Sequence, residues 1–270
     1  MLFLLLSDPL ADLGKVDKAS LPQQALMELF IEGISTNREA ICGSEKEPHD
    51  ITDWDGLDFD SDGNVITIDW SIEYDLSGSI DLHWLPESCT SVYLNKNYLS
   101  GSIDLTSLPE ALEILYLFDN FFEGEIDLCH LPSGICDVDM SSNCLSGTLN
   151  LEHLPDSLNL LHLARNRFSG TLNLTCLPSS LLYLSVSKNE LSGPLDLTSL
   201  PDALQYVHLS ENNFYGLTDF SKLPRALRNL DVRDTRLDGT LTLSLSQTIQ
   251  VRGSGVTLQL HVPMSDGDDT

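Results

Sequence analysis

The stretch that decides the fold is LPEALEILYLFDNFFEGEIDLCH, residues 108–130. Its opening pair, Leu-Pro, recurs every 23 residues, at positions 85, 108, 131, 154, 177, 200 and 223. A glycine recurs with the same spacing from Gly78 to Gly239, so the unit reads LPxxLxxLxLxxNxLSGxIDLTS. Self-similarity at a fixed period is the signature of a repeat protein. The chain is therefore predicted to stack copies of one structural unit.

Each unit has the pattern of a strand, a bend and a return segment. Leu115 and Leu117 alternate with Ile114, Tyr116 and Phe118, which is the period-two pattern of a half-buried strand. The return segment holds a glycine and a proline and is too short for an α-helix. No unit can bury its apolar side chains alone, but stacked units can. The pattern predicts a right-handed coil with a parallel concave β-sheet and short convex extended or 3₁₀ segments, where Ile-Asp-Leu forms a second short strand.

An asparagine marks the bend of six successive units, at positions 97, 120, 143, 166, 189 and 212. A buried amide has two donor hydrogens and an acceptor oxygen, so it can bond the turn backbones of neighbouring units. Thr235 takes this place in the eighth unit. We expect the asparagine ladder to end or weaken there.

These motifs resemble the leucine-rich repeat superfamily, whose recurrent segment is LxxLxLxxNxL. The LSGxI element is similar to the plant-type subclass, although this chain has Ile-Asp-Leu or Leu-Asn-Leu where that subclass has Ile-Pro. The Asp-Leu-Thr-x-Leu-Pro variant is similar to repeat proteins of protists such as kinetoplastids. The resemblance covers about residues 50–245 and implies a leucine-rich repeat solenoid. Its motifs are specific for the fold and say little about function.

The repeat divides the chain into four predicted parts. Residues 1–64 form an N-terminal cap with a helix at about 20–34 and a turn at 58–64, and residues 65–245 form eight repeats. Residues 246–264 are a degenerate C-terminal capping repeat, and residues 265–270 are a disordered tail. Ser20 is the predicted N-cap of the helix in a capping box. Leu26, Leu29, Phe30 and Ile34 follow it at helical spacing.

The charge is strongly negative, with 14 Lys and Arg against 41 Asp and Glu, a formal net charge of −27. An anionic chain lacks the counterion release that drives nucleic-acid binding, and anionic membranes repel it. Five basic residues lie between Lys222 and Arg236, so the C-terminal end is less negative than the N-terminal end. We expect a monomer, with head-to-tail association as the alternative.

The N-terminal sequence predicts neither membrane insertion nor a signal peptide. The run Leu2–Leu6 is far shorter than a spanning helix, and Asp8 and Pro9 follow it in place of a cleavage site. Only Cys42 matches one of the paired cysteines in the cap of plant-type repeats, which favours a reducing compartment. These features favour an intracellular protein. A leader upstream of this sequence would instead favour a secreted or surface protein.

Two groups of side chains match metal-binding patterns. Asp58, Asp60 and Asp62 match the start of a calcium loop, but the following residues are β-patterned, so we expect a solvated hairpin turn. Two cysteines and two histidines on adjacent convex turns are possible zinc ligands, but the repeat itself imposes their spacing. They are Cys129, His130, His153 and Cys176. We predict no metal and no cofactor, and keep calcium as the alternative.

A column of acidic and amide side chains occupies the convex turns. Solvent exposure and hydrogen bonds to nearby backbone are expected to offset the repulsion between its carboxylates; a basic partner or divalent ions are the alternative. The column holds Asp81, Asp104, Asp127, Asn150, Asn173, Asp196, Asp219 and Thr242.

The outward strand positions carry the candidate binding residues, because folding does not require apolar side chains there. Aromatic rings, histidines and carboxylates line this predicted concave face, and such rings are enriched at protein interfaces. The predicted partner-binding residues are Tyr93, Tyr116, Phe118, Asp139, His162, Tyr183, Tyr206 and His208.

No catalytic motif is found, so no catalytic residue and no enzyme are predicted. The sequence predicts a scaffold that binds a protein or peptide; the alternatives are a receptor-like ectodomain and a calcium-stabilised structural protein.

Overall fold

A computed structural model describes residues 17–44, 46–72, 74–243 and 247–260. Two sheets of ten strands each run through these residues, and successive strands of the chain alternate between them over the repeats. The first sheet contains β2 (Leu57–Phe59), β3 (Val65–Asp69), β5 (Ser91–Tyr93), β7 (Ile114–Tyr116), β9 (Asp137–Asp139), β11 (Leu160–His162), β13 (Tyr183–Ser185), β15 (Tyr206–His208), β17 (Asn229–Asp231) and β19 (Thr248–Gln250). The second contains β1 (Ile34–Thr36), β4 (Ser77–Gly78), β6 (Tyr98–Gly101), β8 (Phe121–Gly124), β10 (Cys144–Thr148), β12 (Arg167–Gly170), β14 (Glu190–Gly193), β16 (Asn213–Leu217), β18 (Arg236–Leu243) and β20 (Gly255–Leu260).

The pairing within both sheets follows the repeat. All strands from β3 to β20 pair in parallel with the equivalent strands of neighbouring repeats, whereas β2 and β1 pair antiparallel at the N-terminal edges. Each repeat therefore supplies one strand to each sheet. The predicted fold class, a leucine-rich repeat solenoid, is confirmed.

The core is a row of stacked apolar side chains between the two sheets. One column alternates leucine and phenylalanine with a period of two repeats, and every member is 0 % exposed. The column is Leu99, Phe122, Leu145, Phe168, Leu191, Phe214 and Leu237. Because each ring packs over a leucine of the adjacent repeat, the stack fills its core only when the repeats remain in register.

The asparagine ladder joins each repeat to the one before it. Oδ1 of Asn143 accepts a hydrogen bond of 3.0 Å from the backbone N–H of Phe122, and its Nδ2 donates to the carbonyls of Leu117 and Met140 at 3.0 and 3.2 Å. The other five asparagines make equivalent bonds. Thr235 instead donates to the carbonyl of Val232 in its own repeat. The predicted weakening of the ladder at Thr235 is confirmed.

The second strand of each repeat lies earlier than predicted. Ile103–Leu105, an Ile-Asp-Leu copy, is not a strand, and β6 precedes it. Asp104 explains the difference, because its Oδ1 accepts the N–H of Thr106 at 2.8 Å and so bends the chain out of the ladder. In the eighth repeat Thr242 replaces this aspartate, and β18 continues through Leu243.

The cap helix is shorter than predicted, and Ser20 is not its N-cap. Helix α1 spans Gln23–Phe30 with Pro22 as N-cap, and a second helix, α2, spans Arg38–Cys42. Ser20 lies in a 3₁₀ turn and its hydroxyl donates to the carbonyl of Asp17. The proline disfavours helical backbone at the residue before it, so the helix cannot begin at Ser20. At the other end, Ile34 is buried but begins β1.

At the C-terminal end, β19 and β20 extend the first and second sheets by one strand each. The domain boundaries remain predictions, and the proposed tail at 265–270 and the run Leu2–Leu6 lie outside the described residues. Within the described part of the chain, no helix has the length and apolar character that a membrane crossing requires.

Candidate functional site

The predicted binding residues lie together on the outward face of the first sheet. Tyr93 pairs with Tyr116, Tyr116 with Asp139, and Asp139 with His162, each on the neighbouring strand. Asp137 lies two residues before Asp139 on the same strand, so its side chain points to the same side of the sheet. We call this surface the Tyr-His face. It comprises Tyr93, Tyr116, Phe118, Asp137, Asp139, His162, Tyr183, Tyr206 and His208, all of them half-buried.

Two groups of rings cover this face. In the N-terminal half, Tyr93 meets Tyr116 edge-on with ring centroids 5.4 Å apart, and Phe118 lies 6.2 Å from Tyr116. In the C-terminal half, Tyr183 contacts three rings. They are those of His162 at 5.5 Å, Tyr206 at 5.9 Å and His208 at 5.4 Å. The structure thus brings together all eight residues predicted from the sequence.

Hydrogen bonds join the two halves of the face and continue through the C-terminal half. Nδ1 of His162 lies 3.1 Å from Oδ2 of Asp139, whose Oδ1 accepts the N–H of Ser141. Further along, Arg233 donates from Nε and a terminal nitrogen to the two carboxylate oxygens of Asp231 at 2.9 and 2.7 Å. Ion pairs of this bidentate geometry are among the stronger ones. These hydrogen bonds hold the carboxylates of Asp139 and Asp231 in place.

Burial shifts the pKa values of several side chains on this face. It raises the pKa of Tyr116, with added contributions from Asp137, Tyr93 and Asp139, and it raises the pKa of Asp137. The pKa of Tyr183 is raised for the same reason. For His208, burial lowers the pKa and outweighs the opposing charge of Asp231. The face is therefore partly shielded from water.

A shallow cavity of about 330 Å³ opens over the C-terminal half. Serine hydroxyls and charged side chains that the sequence-based prediction did not include line it beside the two histidines. They include Ser185, Ser187, Lys188, Ser210 and Arg233. Their positions in the repeat could have identified them: Ser185 lies between His162 and His208 in one column, Ser187, Ser210 and Arg233 lie two residues after the members of that column, and Lys188 lies in the bend.

Neither candidate metal group brings three ligands together within the described residues. Asp60 caps the predicted hairpin turn: its Oδ1 accepts the N–H groups of Asp62 and Asn64, and β2 and β3 form the hairpin. On the convex side, Nδ1 of His130 is 2.8 Å from Asp127. Across the described ranges, no three His, Cys, Asp or Glu side chains are placed to hold a metal ion. The six cysteines are all free thiols.

The convex acidic column bonds to its own backbone, as expected. Each aspartate or asparagine from Asp81 to Asp219 accepts the N–H two residues later at 2.8 to 3.0 Å. Side-chain bonds from Thr106 and Thr198 lower the pKa of Asp104 and Asp196. The carboxylates of this column act as turn caps.

Comparisons with solved structures show a fold similar to that of a plant leucine-rich repeat ectodomain. The ectodomain of the Arabidopsis thaliana receptor kinase GASSHO1/SCHENGEN3, in complex with CASPARIAN STRIP INTEGRITY FACTOR 2, is 19% identical with a TM-score of 0.50, over 87% of this chain and 36% of that chain. Pollen Receptor Kinase 3 is 18% identical with a TM-score of 0.45, over 90% of this chain and 99% of that chain. A plant ice-binding protein is 17% identical with a TM-score of 0.44, over 88% of this chain and 94% of that chain. This chain thus spans about a third of the GASSHO1/SCHENGEN3 ectodomain. No family model and no curated protein matches the sequence.

Proposed function

We propose that this protein is a non-enzymatic recognition module that binds a protein or peptide on the Tyr-His face. The observation that carries the proposal is the position of Tyr183 on β13, whose ring contacts His162 on β11 and both Tyr206 and His208 on β15 of a rigid sheet. Tyrosine and histidine rings offer a large contact area with two torsions to order on binding. The face therefore presents a preorganised surface of mixed polarity.

The tendency of tyrosine to occur in strands accounts for the rings alone. It does not account for Asp137, Asp139 and the two histidines that are half-buried among them. Half-burying charged or titratable groups costs free energy. Residues with that cost on an outward column are expected where a surface serves recognition.

The dimensions suit an extended polypeptide segment. The column from Tyr93 to His208 crosses six parallel strands. Five strand spacings of about 4.8 Å give roughly 24 Å, which an extended chain covers in about seven residues. The GASSHO1/SCHENGEN3 ectodomain, which shares this fold, was solved in complex with CASPARIAN STRIP INTEGRITY FACTOR 2, and this supports a binding role for the fold.

The test compares two triple variants with the full-length wild-type chain in affinity capture from the native organism. The first, Tyr116→Ala/His162→Ala/Tyr206→Ala, removes rings from the Tyr-His face. The matched control, Tyr98→Ala/Phe121→Ala/Tyr215→Ala, removes three rings that are 52 to 55 % exposed on the second sheet. We expect partners that wild type and control retain and the face variant loses, with circular dichroism showing that all three fold. Equal recovery by the face variant would contradict the proposal.

A further inference from the structure

We propose that the N-terminal half of the Tyr-His face binds a cationic side chain of an extended polypeptide partner, with an arginine guanidinium as the best fit. The site comprises Tyr93, Tyr116, Phe118, Asp137 and Asp139. This inference rests on the function proposed above and specifies the chemistry of the partner.

Asp137 is the carboxylate of this face that has no partner among the residues the structure describes. Asp139 bonds Ser141 and His162, and Asp231 bonds Arg233. In the described part of the chain, the side chain of Asp137 accepts no hydrogen bond and forms no ion pair, although it is half-buried. A carboxylate that has lost part of its water without gaining a donor is a position where a bound cation is stabilised.

The Tyr116 ring lies near this carboxylate, whose charge contributes to the raised pKa of that tyrosine. Ile114 and Tyr116 of β7 pair with Asp137 and Asp139 of β9, so Asp139 is the direct cross-strand neighbour of Tyr116 and Asp137 is its diagonal neighbour. Tyr93 and Phe118 pack against the same ring at 5.4 and 6.2 Å. A cation above a tyrosine ring is attracted by its negative π-face, and a neighbouring carboxylate adds a charge-assisted hydrogen bond. A planar guanidinium can make both contacts at once, because it stacks on rings and donates through a fork of N–H groups.

The two halves of the face differ in charge. Asp69, Asp137 and Asp139 lie on the outward columns of the N-terminal half. In the C-terminal half, Arg233 neutralises Asp231, and Lys188 pairs with Glu211 at 3.1 Å. A basic residue of the partner is therefore directed to the N-terminal half, which orients the partner along the solenoid.

A metal ion fits this site less well than an organic cation. No group of three carboxylate, imidazole or thiol side chains converges among the described residues, whereas hard divalent cations take six or more oxygen ligands, several of them from carboxylates. The direct cross-strand neighbours of Asp137 are the apolar side chains of Ile114 and Leu160, which offer no such ligands. The Tyr116 ring nearby matches the flat, weakly hydrated surface of a guanidinium.

The test selects displayed random heptapeptides on the full-length chain, with counter-selection on the Tyr116→Ala/His162→Ala/Tyr206→Ala variant. We expect the enriched peptides to carry arginine at one recurrent position. Replacing that arginine by citrulline, which keeps the shape and removes the charge, should weaken binding about tenfold in fluorescence anisotropy. Asp137→Asn should cause a similar loss, and the two changes together should lose less than the product of the separate effects. The control Glu123→Gln removes one exposed carboxylate from the second sheet and should change affinity less than about twofold.

The possible failures are distinguishable. Face-dependent peptides without arginine or lysine, or equal binding of the citrulline peptide, would overturn the cation site and leave the proposed function standing. Enrichment of lysine in place of arginine would overturn the guanidinium preference. No enrichment over the triple variant would overturn both proposals. Thermal unfolding of Asp137→Asn separates lost binding from lost folding, since removing an unpaired half-buried charge should leave the melting temperature unchanged or higher.

Discussion

The hydroxyl of Tyr183 lies 3.3 Å from Nδ1 of His208, across the paired strands β13 and β15. This contact places a titratable imidazole under a tyrosine ring at the centre of the Tyr-His face. In the neutral imidazole, Nδ1 can accept the tyrosine O–H. The pair therefore couples the packing of the face to the protonation of His208.

The pH dependence of stability should carry the signature of His208. Burial lowers its pKa below the ordinary 6.5, with smaller contributions of the same sign from His162 and Arg233, while Asp231 and Asn229 oppose the shift. The native state then binds fewer protons than the unfolded chain, so the free energy of unfolding falls as the pH drops below about 6.5. His208→Gln should flatten this part of the profile, measured by urea unfolding between about pH 7.5 and 5.5.

Two variants provide controls for this titration. His153→Gln replaces an exposed histidine of the convex side and should leave the pH profile unchanged. Tyr183→Phe removes the hydroxyl and should raise the pKa of His208 towards its ordinary value, measured by NMR. An unchanged profile in His208→Gln would show that this imidazole does not set the pH dependence.

The asparagine ladder should respond to single substitutions in opposite directions. Asn143→Ala leaves the N–H of Phe122 buried without its amide acceptor, while the carbonyl of Leu117 keeps the donor of Asn120, and this should cost about 1–3 kcal/mol in the free energy of unfolding. Thr235→Asn should extend the ladder by one step and stabilise the chain by about 1 kcal/mol. Chemical denaturation measures both. An unchanged free energy of unfolding in Asn143→Ala would mean that the ladder contributes no net stability.

Adjacent phenylalanines on β8 provide a matched pair for the core. Phe122 is 0 % exposed within the stacked column, whereas Phe121 is 53 % exposed and stacks on Tyr98. Phe122→Ala should destabilise the fold by about 3–5 kcal/mol because the cavity cannot close, and Phe121→Ala by less than about 1 kcal/mol. Equal losses in urea unfolding would contradict the assignment of the two faces of β8.

The convex column should tolerate amides and not alanine. Asp104 caps its turn through the N–H and hydroxyl of Thr106, and Asn150 and Asn173 make the same backbone bond in other repeats. Asp104→Asn should therefore keep the melting temperature at pH 7, and Asp104→Ala should lower it. The bonds from Thr106 lower the pKa of Asp104 below 3.8, so the stability that they add is present above that pH and lost as the pH falls below it. Thermal scans at neutral and acidic pH measure both effects, and equal melting temperatures for the two variants would count against the turn-cap role.

Most of the fold could be predicted from the sequence, because one unit of 23 residues recurs with little change. The errors concern local backbone. Ser20 fits a capping-box pattern, but Pro22 moves the start of the helix. The Ile-Asp-Leu segment alternates like a strand, but the side chain of Asp104 takes a backbone N–H and bends the chain. In both places a local effect, the proline ring in one and the aspartate side chain in the other, prevents the structure that the pattern predicts.

The sequence alone determined which residues share the Tyr-His face, because side chains alternate along a strand and a constant period stacks equal positions in register. Only the tertiary structure decided how those residues differ. Asp139 bonds His162 while Asp137, two residues earlier, has no hydrogen-bond or ion-pair partner in the described ranges, and Tyr183 lies close enough to bond His208. Rotamers, burial and the charges of neighbouring repeats set these contacts, and each depends on side chains that are 20 or more residues apart in the chain.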